Sequence, residues 1–472
     1  MLSPEALVYG TLLITGILIL RRSRRAGLAL RRQHGLIDGQ LVQLHTLTNA
    51  RGMEVSVSEF GATLTSIRVP DIQGRLGEVT LGLRSLEDYV AGNPFLGSTV
   101  GRYANRLANG QLTIDGRAIA LAQNNNGNHL HGGLRGLDKR IWKSEVIRTA
   151  DASAVRLTYV SPDGEEGYPG ALTVTVTYTL PDDTNELTID FAATTDAPTA
   201  CNLTNHVFFN LAGQGSILDH RVTLQSDRLV PVTAALIPTG EFMDVTNTPF
   251  DFRRPHAIGE RIGAPHDQLR RGRGYDHCYD LGTDQSLKPA AFVTEESSGR
   301  TLELLTDAPG LQFYTGNFLT GTVQGRWPKP FAFRHDHAIH QPRLIGAHVP
   351  DLDCIAASAG ARSPRGRVGR RSAYPHFGGV SLGHGPLSEV REHTRPWWHR
   401  HGRGGIGGPG DLRRRALAPT TRGKDDRGDG GDQRRHDGSG CEGKQAHARQ
   451  GWVWGDGEPP EGIPARTVAG NA

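Results

Sequence analysis

"LTVTVTYTL", Leu172–Leu180, followed across "PDDTN" by "ELTIDFAATT", Glu186–Thr195, decides the fold class. Leu172, Val174, Val176, Tyr178 and Leu180 alternate with four threonines, and Leu187, Ile189 and Phe191 repeat the device. A period of two places alternate side chains on opposite faces of a strand, and β-branched and aromatic residues suit that pleated surface. The turn residues between the runs make them a hairpin. Upstream, "MEVSVSEFGATLTSIRVPD", Met53–Asp71, sets Val55 and Val57, then Leu64, Ile67 and Val69, to the same period, with Gly61 breaking the register. No long stretch between about Leu36 and Thr322 carries a sustained helical period of 3.6. The expected fold is therefore all-β, a large antiparallel β-sandwich of many strands. The chain has 472 residues; all-β folds often run past about 200 residues as one unit, so a single large domain is compatible with that length.

Both ends depart from this pattern. "ALVYGTLLITGILIL", Ala6–Leu20, is apolar and uncharged and runs into "RRSRR". It is short of the roughly 20 residues a spanning helix needs. It also lacks the flanks of a cleaved signal peptide. Two readings stand: a membrane anchor with its arginines on the cytoplasmic side, or a stretch upstream of the true translation start. Residues 1–35 are thus an extension and 36–324 the β domain. After Gly325 the text turns to Gly, Arg, Pro, His and Asp, as in "RHGRGGIGGPGDLRRR". Such composition buries too little apolar surface to offset its ordering entropy, so 325–472 is expected to be mostly a disordered tail. It is either a natural basic tail or the product of a reading-frame shift in GC-rich DNA. The net charge of +4 and a charged fraction of 22% give no strong overall field, and no nucleic-acid partner is expected. Cys201, Cys278, Cys354 and Cys441 are widely spaced without a C-x-x-C pair, which fits free thiols in a reducing compartment.

Polar clusters interrupt the strands in a fixed order: "GSTVGRYANRLANGQLTIDG" (Gly97–Gly116), "NHLHGGLRGLDKRIW" (Asn128–Trp142), "SPDGEEGYPG", "NLTNHVFFNLAG", "GYDHCYDL" and "PGLQFYTGNFLTG". Taken together over roughly Leu36 to Gly321, this series closely resembles the aldose 1-epimerases, or galactose mutarotases. The resemblance implies a galactose mutarotase-like supersandwich and interconversion of the α and β anomers of aldohexoses such as galactose and glucose. That reaction takes a proton off the C1 hydroxyl and puts one on the ring oxygen, then reverses both after the carbonyl end turns. An acid and a base suffice, so no cofactor and no metal is implied. The implied setting is the cytoplasm, with a small aldohexose substrate and a monomer or homodimer; membrane contact follows only if residues 6–20 are a real anchor.

By the same resemblance His206 in "NLTNHVFFNL" protonates the ring oxygen, a role suited to a side chain whose ordinary pKa lies near working pH. Without the resemblance it reads as a core histidine bonded to a carbonyl. His131 in "LHGG" matches the second histidine on the same oxygen, while His129 matches no role. Asn105 and Arg106 in "YANRLANG", Asp276 in "GYDH" and Gln312 in "PGLQFYTGN" match sugar-binding positions, where forks of donors and acceptors meet hydroxyls. Trp142 and Phe313 are candidates either for stacking on a sugar face or for the core.

One part is missing. The family's general base is a glutamate in a segment resembling Glu-x-Gln-His, some tens of residues after "YTGNFLTG". The text after Gly325 contains no glutamate until Glu389 and Glu392, with Glu442, Glu458 and Glu461 further on, all in unlike surroundings. The sandwich is accordingly expected to be truncated at its C-terminal strands, with exposed edges. The alternative to an epimerase is a non-catalytic sugar-binding or regulatory protein on the same fold. A hexose-phosphate substrate would want more basic residues than Arg106 supplies. The run "HDHAIH", His335–His340, is read as chance spacing rather than a zinc site, which would draw on ordered elements and further ligands.

Overall fold

The threonine-rich run forms the strand Leu172–Pro181, with its apolar set buried and its threonines half-buried in strict alternation. It pairs antiparallel with Glu186–Thr195 in the register Val176 to Phe191 and Tyr178 to Ile189. The computed structural model describes residues 28–326, 332–334, 345–348 and 445–454. The apolar run at 6–20, the histidines at 335–340, Cys354, Cys441 and the glutamates from Glu389 onward lie outside the described residues.

Among those residues the fold is all-β, its few helices short (Leu86–Val90, Ile258–Arg261 and Asp267–Gly272). None of these helices is long and apolar enough to cross a membrane. Three sheets carry the architecture. A five-stranded meander runs from Leu28–Ile37 to Leu76–Glu78. Gly61 lies not inside a strand but in the turn between Glu54–Ser58 and Thr63–Pro70. Its φ is +69°, and a Cβ there would lie 2.5 Å from the Asp138 carbonyl oxygen, so only glycine fits.

A nine-stranded sheet holds the Leu172–Pro181 hairpin as its third and fourth strands, and a six-stranded sheet contains Phe208–Phe209, Asp276–Asp280 and Gly310–Tyr314. All three contribute to one core: Val55, Val57 and Leu64 from the first, Val174, Val176, Ile189 and Phe191 from the second, Phe209, Tyr279, Leu311 and Phe313 from the third. Burial of each such side chain stabilises the fold by about 1.5–3 kcal/mol before ordering costs.

The region after Gly325 contributes more than a disordered tail would. Ile345–His348 pairs with Phe208–Phe209 on one side and with Gly310–Tyr314 on the other. Gln445–Val453 pairs with Glu186–Thr195 and with Thr301–Thr306, filling the middle of the nine-stranded sheet. The truncated sheets expected from the sequence are therefore corrected at these two places. The physical reason is the open hydrogen-bonding edge of each neighbouring strand, which a short extended segment satisfies through its backbone whatever its composition. Trp454 directly follows the returning strand, buried with its ring centroid 5.7 Å from that of Phe209. Its backbone N–H donates to the Asn185 carbonyl at 2.8 Å.

Trp454→Ala is expected to lower unfolding stability by about 3–5 kcal/mol, the usual loss for a buried large aromatic. The comparison is a pair of urea unfolding curves; an unchanged midpoint would mean that the C-terminal segment does not occupy this slot.

Candidate active site

Three loop segments are stitched into one frame. Thr99–Val100 pairs with Thr204–Asn205, Tyr103 bridges to Asn202, and Arg106–Leu107 pairs with His129–Leu130. Arg102 locks the first segment in place. Its buried guanidinium donates to the carbonyls of Ser161, Pro162, Pro169 and Gly170 and to the hydroxyls of Ser161 and Thr199, so the desolvated charge is surrounded by acceptors.

On this frame Asn105 and His131 face each other. The His131 N–H donates to the Asn105 carbonyl at 3.0 Å, and the Asn105 N–H donates to His131 Nδ1 at 3.0 Å. An Nδ1 that accepts carries no proton, so the neutral His131 ring bears its hydrogen on Nε2. Both residues adopt positive φ, 64° and 51°. The next residue must be glycine, because a Cβ on Gly132 would lie 1.7 Å from the Gly101 carbonyl oxygen.

His206 enters from the other segment. Its N–H donates to the Ser98 carbonyl at 2.9 Å, and its carbonyl accepts the Gly97 N–H at 2.8 Å. The His206 and His131 ring centroids are 5.1 Å apart and nearly perpendicular. Phe208 packs against His206 at 5.1 Å. Burial pushes the His206 pKa down to about 4, since the charged ring would lose its hydration.

The amide and carboxylate groups form a chain beside the histidines. Gln312 Nε2 donates to Asp276 Oδ1 at 2.7 Å. Asn105 Nδ2 lies 3.4 Å from Gln312 Oε1, and Arg106 Nη1 lies 3.5 Å from Asn105 Oδ1, both at the long end of hydrogen bonding. Arg106 Nε donates to Asn125 Oδ1 at 3.2 Å. Burial raises the Asp276 pKa, opposed by the Arg106 charge and the Gln312 amide.

The structure thus brings together His131, His206, Asn105, Arg106, Asp276 and Gln312, with Asn105 joining the histidine pair to the amide chain. His129 stands apart, bonded at Nδ1 to the Ala122 carbonyl and at Nε2 to the Tyr168 hydroxyl. Trp142 and Phe313 are core residues, each almost wholly buried. Sequence reading missed Asn125 and Asn317. Asn317 donates to the carbonyls of Gly272 and Tyr275, both at 2.8 Å, and so shapes the loop before Asp276. Its place in "YTGNFLTG" was visible, but its partners lie more than forty residues away. No group of histidines, cysteines and carboxylates able to hold a metal occurs among the described residues.

An all-β chain with paired histidines set beside an amide and carboxylate chain has the make-up of a carbohydrate-acting isomerase. A family model described as aldose 1-epimerase matches residues 43–350, and the chain belongs to that family. The galactose mutarotase of Sus scrofa is 44% identical over 303 residues, 62% of this chain and 85% of that protein. The aldose 1-epimerase of Escherichia coli (strain K12) is 41% identical over 297 residues, 62% of this chain and 84% of that one. The crystal structure of galactose 1-epimerase from Lactobacillus acidophilus NCFM matches with a TM-score of 0.60 at 30% identity, covering 70% of this chain and 94% of that chain.

Buried neutral histidines make stability depend on acid. The pKa of His206 lies at about 4 in the folded chain against an ordinary 6.5, so between those values the unfolded chain binds the extra proton. Stability is complete above the ordinary value and falls as pH drops through that window. At about 1.4 kcal/mol per pH unit, the ring's share of the loss down to pH 5 is about 2 kcal/mol. Urea midpoints across this range should show a shallower acid limb for His206→Gln; equal slopes would mean that His206 takes up its proton in the folded protein.

Proposed function

We propose that the chain interconverts the α and β anomers of aldohexoses such as galactose and glucose by acid/base ring opening and closure. The observation that carries this reading is the His131–His206 pair, 5.1 Å apart, beside the hydrogen-bonding chain from Arg106 to Asp276. In this reading the sheets pack as the family's large sandwich, with residues 36–324 as the sugar-handling domain. The protein works in the cytoplasm without a cofactor, as a monomer or homodimer. Arg106, Asn105, Gln312 and Asp276 take the sugar hydroxyls. His206 gives a proton to the ring oxygen as the C1–oxygen bond breaks and a base removes the C1 hydroxyl proton, leaving the open-chain aldehyde. Rotation about the adjoining bond and the reverse transfers produce the other anomer. His131, with its hydrogen on Nε2, adds a donor to the oxygen that gains negative character.

A second reading is favoured by one feature. The strand Ile345–His348 places His348 at the register position opposite Gln312, and its sequence, Ile-Gly-Ala-His, contains no glutamate. A chain without the glutamate that the resemblance implies would bind a sugar and leave its anomeric equilibrium alone.

Polarimetry on freshly dissolved α-glucose and α-galactose separates the two. Faster approach to the equilibrium rotation is expected, reduced by about 10²–10⁴-fold in His206→Gln as general-acid loss usually does. A spontaneous rate together with saturable binding of galactose would establish the second reading, and absence of both would overturn each.

A further inference from the structure

Phe95 was given no role by the sequence, yet its ring touches both histidines of the site. Its centroid lies 4.7 Å from that of His131, at an interplanar angle of 62°, and 5.7 Å from that of His206, at 31°. With the His131–His206 contact these three rings close a triangle. Phe95 is a bulky residue held at a φ of 62°, a conformation such side chains rarely adopt and one that recurs at functional positions. The loop is built to hold it there. Asn93 Oδ1 accepts the Leu96 N–H at 2.8 Å and Asn93 Nδ2 donates to the Tyr89 carbonyl at 3.2 Å. The Phe95 carbonyl accepts the Ser98 N–H at 3.1 Å, and Gly97 and Ser98 are the two residues that pair with the His206 backbone. Lys139 seats its ammonium 5.1 Å from the centre of the Phe95 ring, an attractive arrangement for a cation and an aromatic face. That ammonium is tethered to the buried Asp138 carboxylate at 2.6 Å.

We propose that Phe95 is a positioning residue of this site: its ring fixes the planes of His131 and His206 and keeps water from them. The inference deepens the proton-transfer reading above and rests on it for the meaning of the two histidines. A histidine gives a proton to an oxygen as the imidazolium and takes it back as the neutral ring, so the surroundings that set its resting protonation govern both halves of the reversible reaction. Burial is the principal cause of His206's neutrality, opposed only by its own backbone. Among its neighbours His131 is the titratable ring that faces it; Lys139 with Asp138 lies beyond Phe95, and Tyr314 lies beyond Phe208. Phe95 is half-buried, so truncating it opens a path for water from outside the triangle.

The test is an NMR titration of the histidine ring C–H signals in the full chain, assigned with His131→Gln and His206→Gln. Phe95→Ala is expected to raise the His206 midpoint by at least about one pH unit, as relief of desolvation does; Phe95→Tyr, which keeps the ring, should leave it where it is. Adding Lys139→Met to Phe95→Ala removes the ammonium and should leave the upward shift in place. If Phe95→Ala does not fold, Phe95→Leu applies the same test with a smaller upward shift. A folded Phe95→Ala or Phe95→Leu chain in which His206 titrates at the wild-type midpoint overturns the proposal. The readout needs no turnover, so a chain that binds sugar without converting it, and even one that binds none, still decides the role of Phe95.

Discussion

The Tyr178 hydroxyl is the tie on which the site depends. It belongs to the alternating run that defines the central hairpin, is fully buried, and donates to the Ala62 carbonyl at 2.6 Å while accepting from Asn205 Nδ2 at 3.0 Å. One phenol therefore joins the nine-stranded sheet, the turn at Gly61 in the five-stranded sheet, and the segment whose next residue is His206. Burial pushes its pKa up, so it remains a donor under all ordinary conditions. In an apolar core each partner lost would leave a polar group unpaired, at a cost of about 1–3 kcal/mol. The position of His206 is thus inherited from core packing and not from the loop on which it sits.

The same logic separates the two arginines of "GRYANR". Arg102 is enclosed by carbonyl and hydroxyl acceptors and has no capacity left for a ligand. Arg106, half-buried, keeps long and few contacts. A guanidinium that satisfies five donors internally acts as a bracket, whereas one holding two partners at 3.2 and 3.5 Å can exchange them for substrate hydroxyls. The site is therefore rigid at its frame and adaptable at its binding edge, as the proposed reversible binding of a neutral, heavily hydrated sugar requires.

Local periodicity made the Leu172–Pro181 hairpin legible, because its alternation reports burial of one face and needs no knowledge of distant contacts. The two histidines and the positions proposed to bind sugar were recognisable as a set through the order of their motifs. Phe95, Arg102 and Asn317 were not, since each acts through partners set by tertiary placement: Phe95 through rings thirty-six and one hundred and eleven positions away, Arg102 through a cradle from Ser161 to Thr199. Gly61 was noticed but assigned to a break in a strand, where the close approach of the Asp138 carbonyl makes it a turn. The two C-terminal strands escaped notice for a different reason. Their pairing uses backbone groups offered by neighbouring edges, and composition says little about that.

One of those two strands, Ile345–His348, also bears on how the proposed sugar binding and turnover divide between elements. His131, His206, Asn105, Arg106, Asp276 and Gln312 all lie on segments before residue 325, while Ile345–His348 pairs with Phe208–Phe209 beside His206 and with the strand that carries Gln312. The side chains proposed to meet the sugar make their own hydrogen bonds within the earlier segments, Gln312 to Asp276 and Arg106 to Asn125. In the proposed reading, removal of the C1 proton requires a group on a further segment, and Ile345–His348 is the strand whose register lies alongside Gln312. In that reading a side-chain change on this strand that keeps its backbone pairing would alter the base while leaving the proposed sugar contacts and proton donor in place. In that reading loss of catalysis need not entail loss of binding, because the backbone ladder that seats this strand depends on its pairing and not on the side chains it carries.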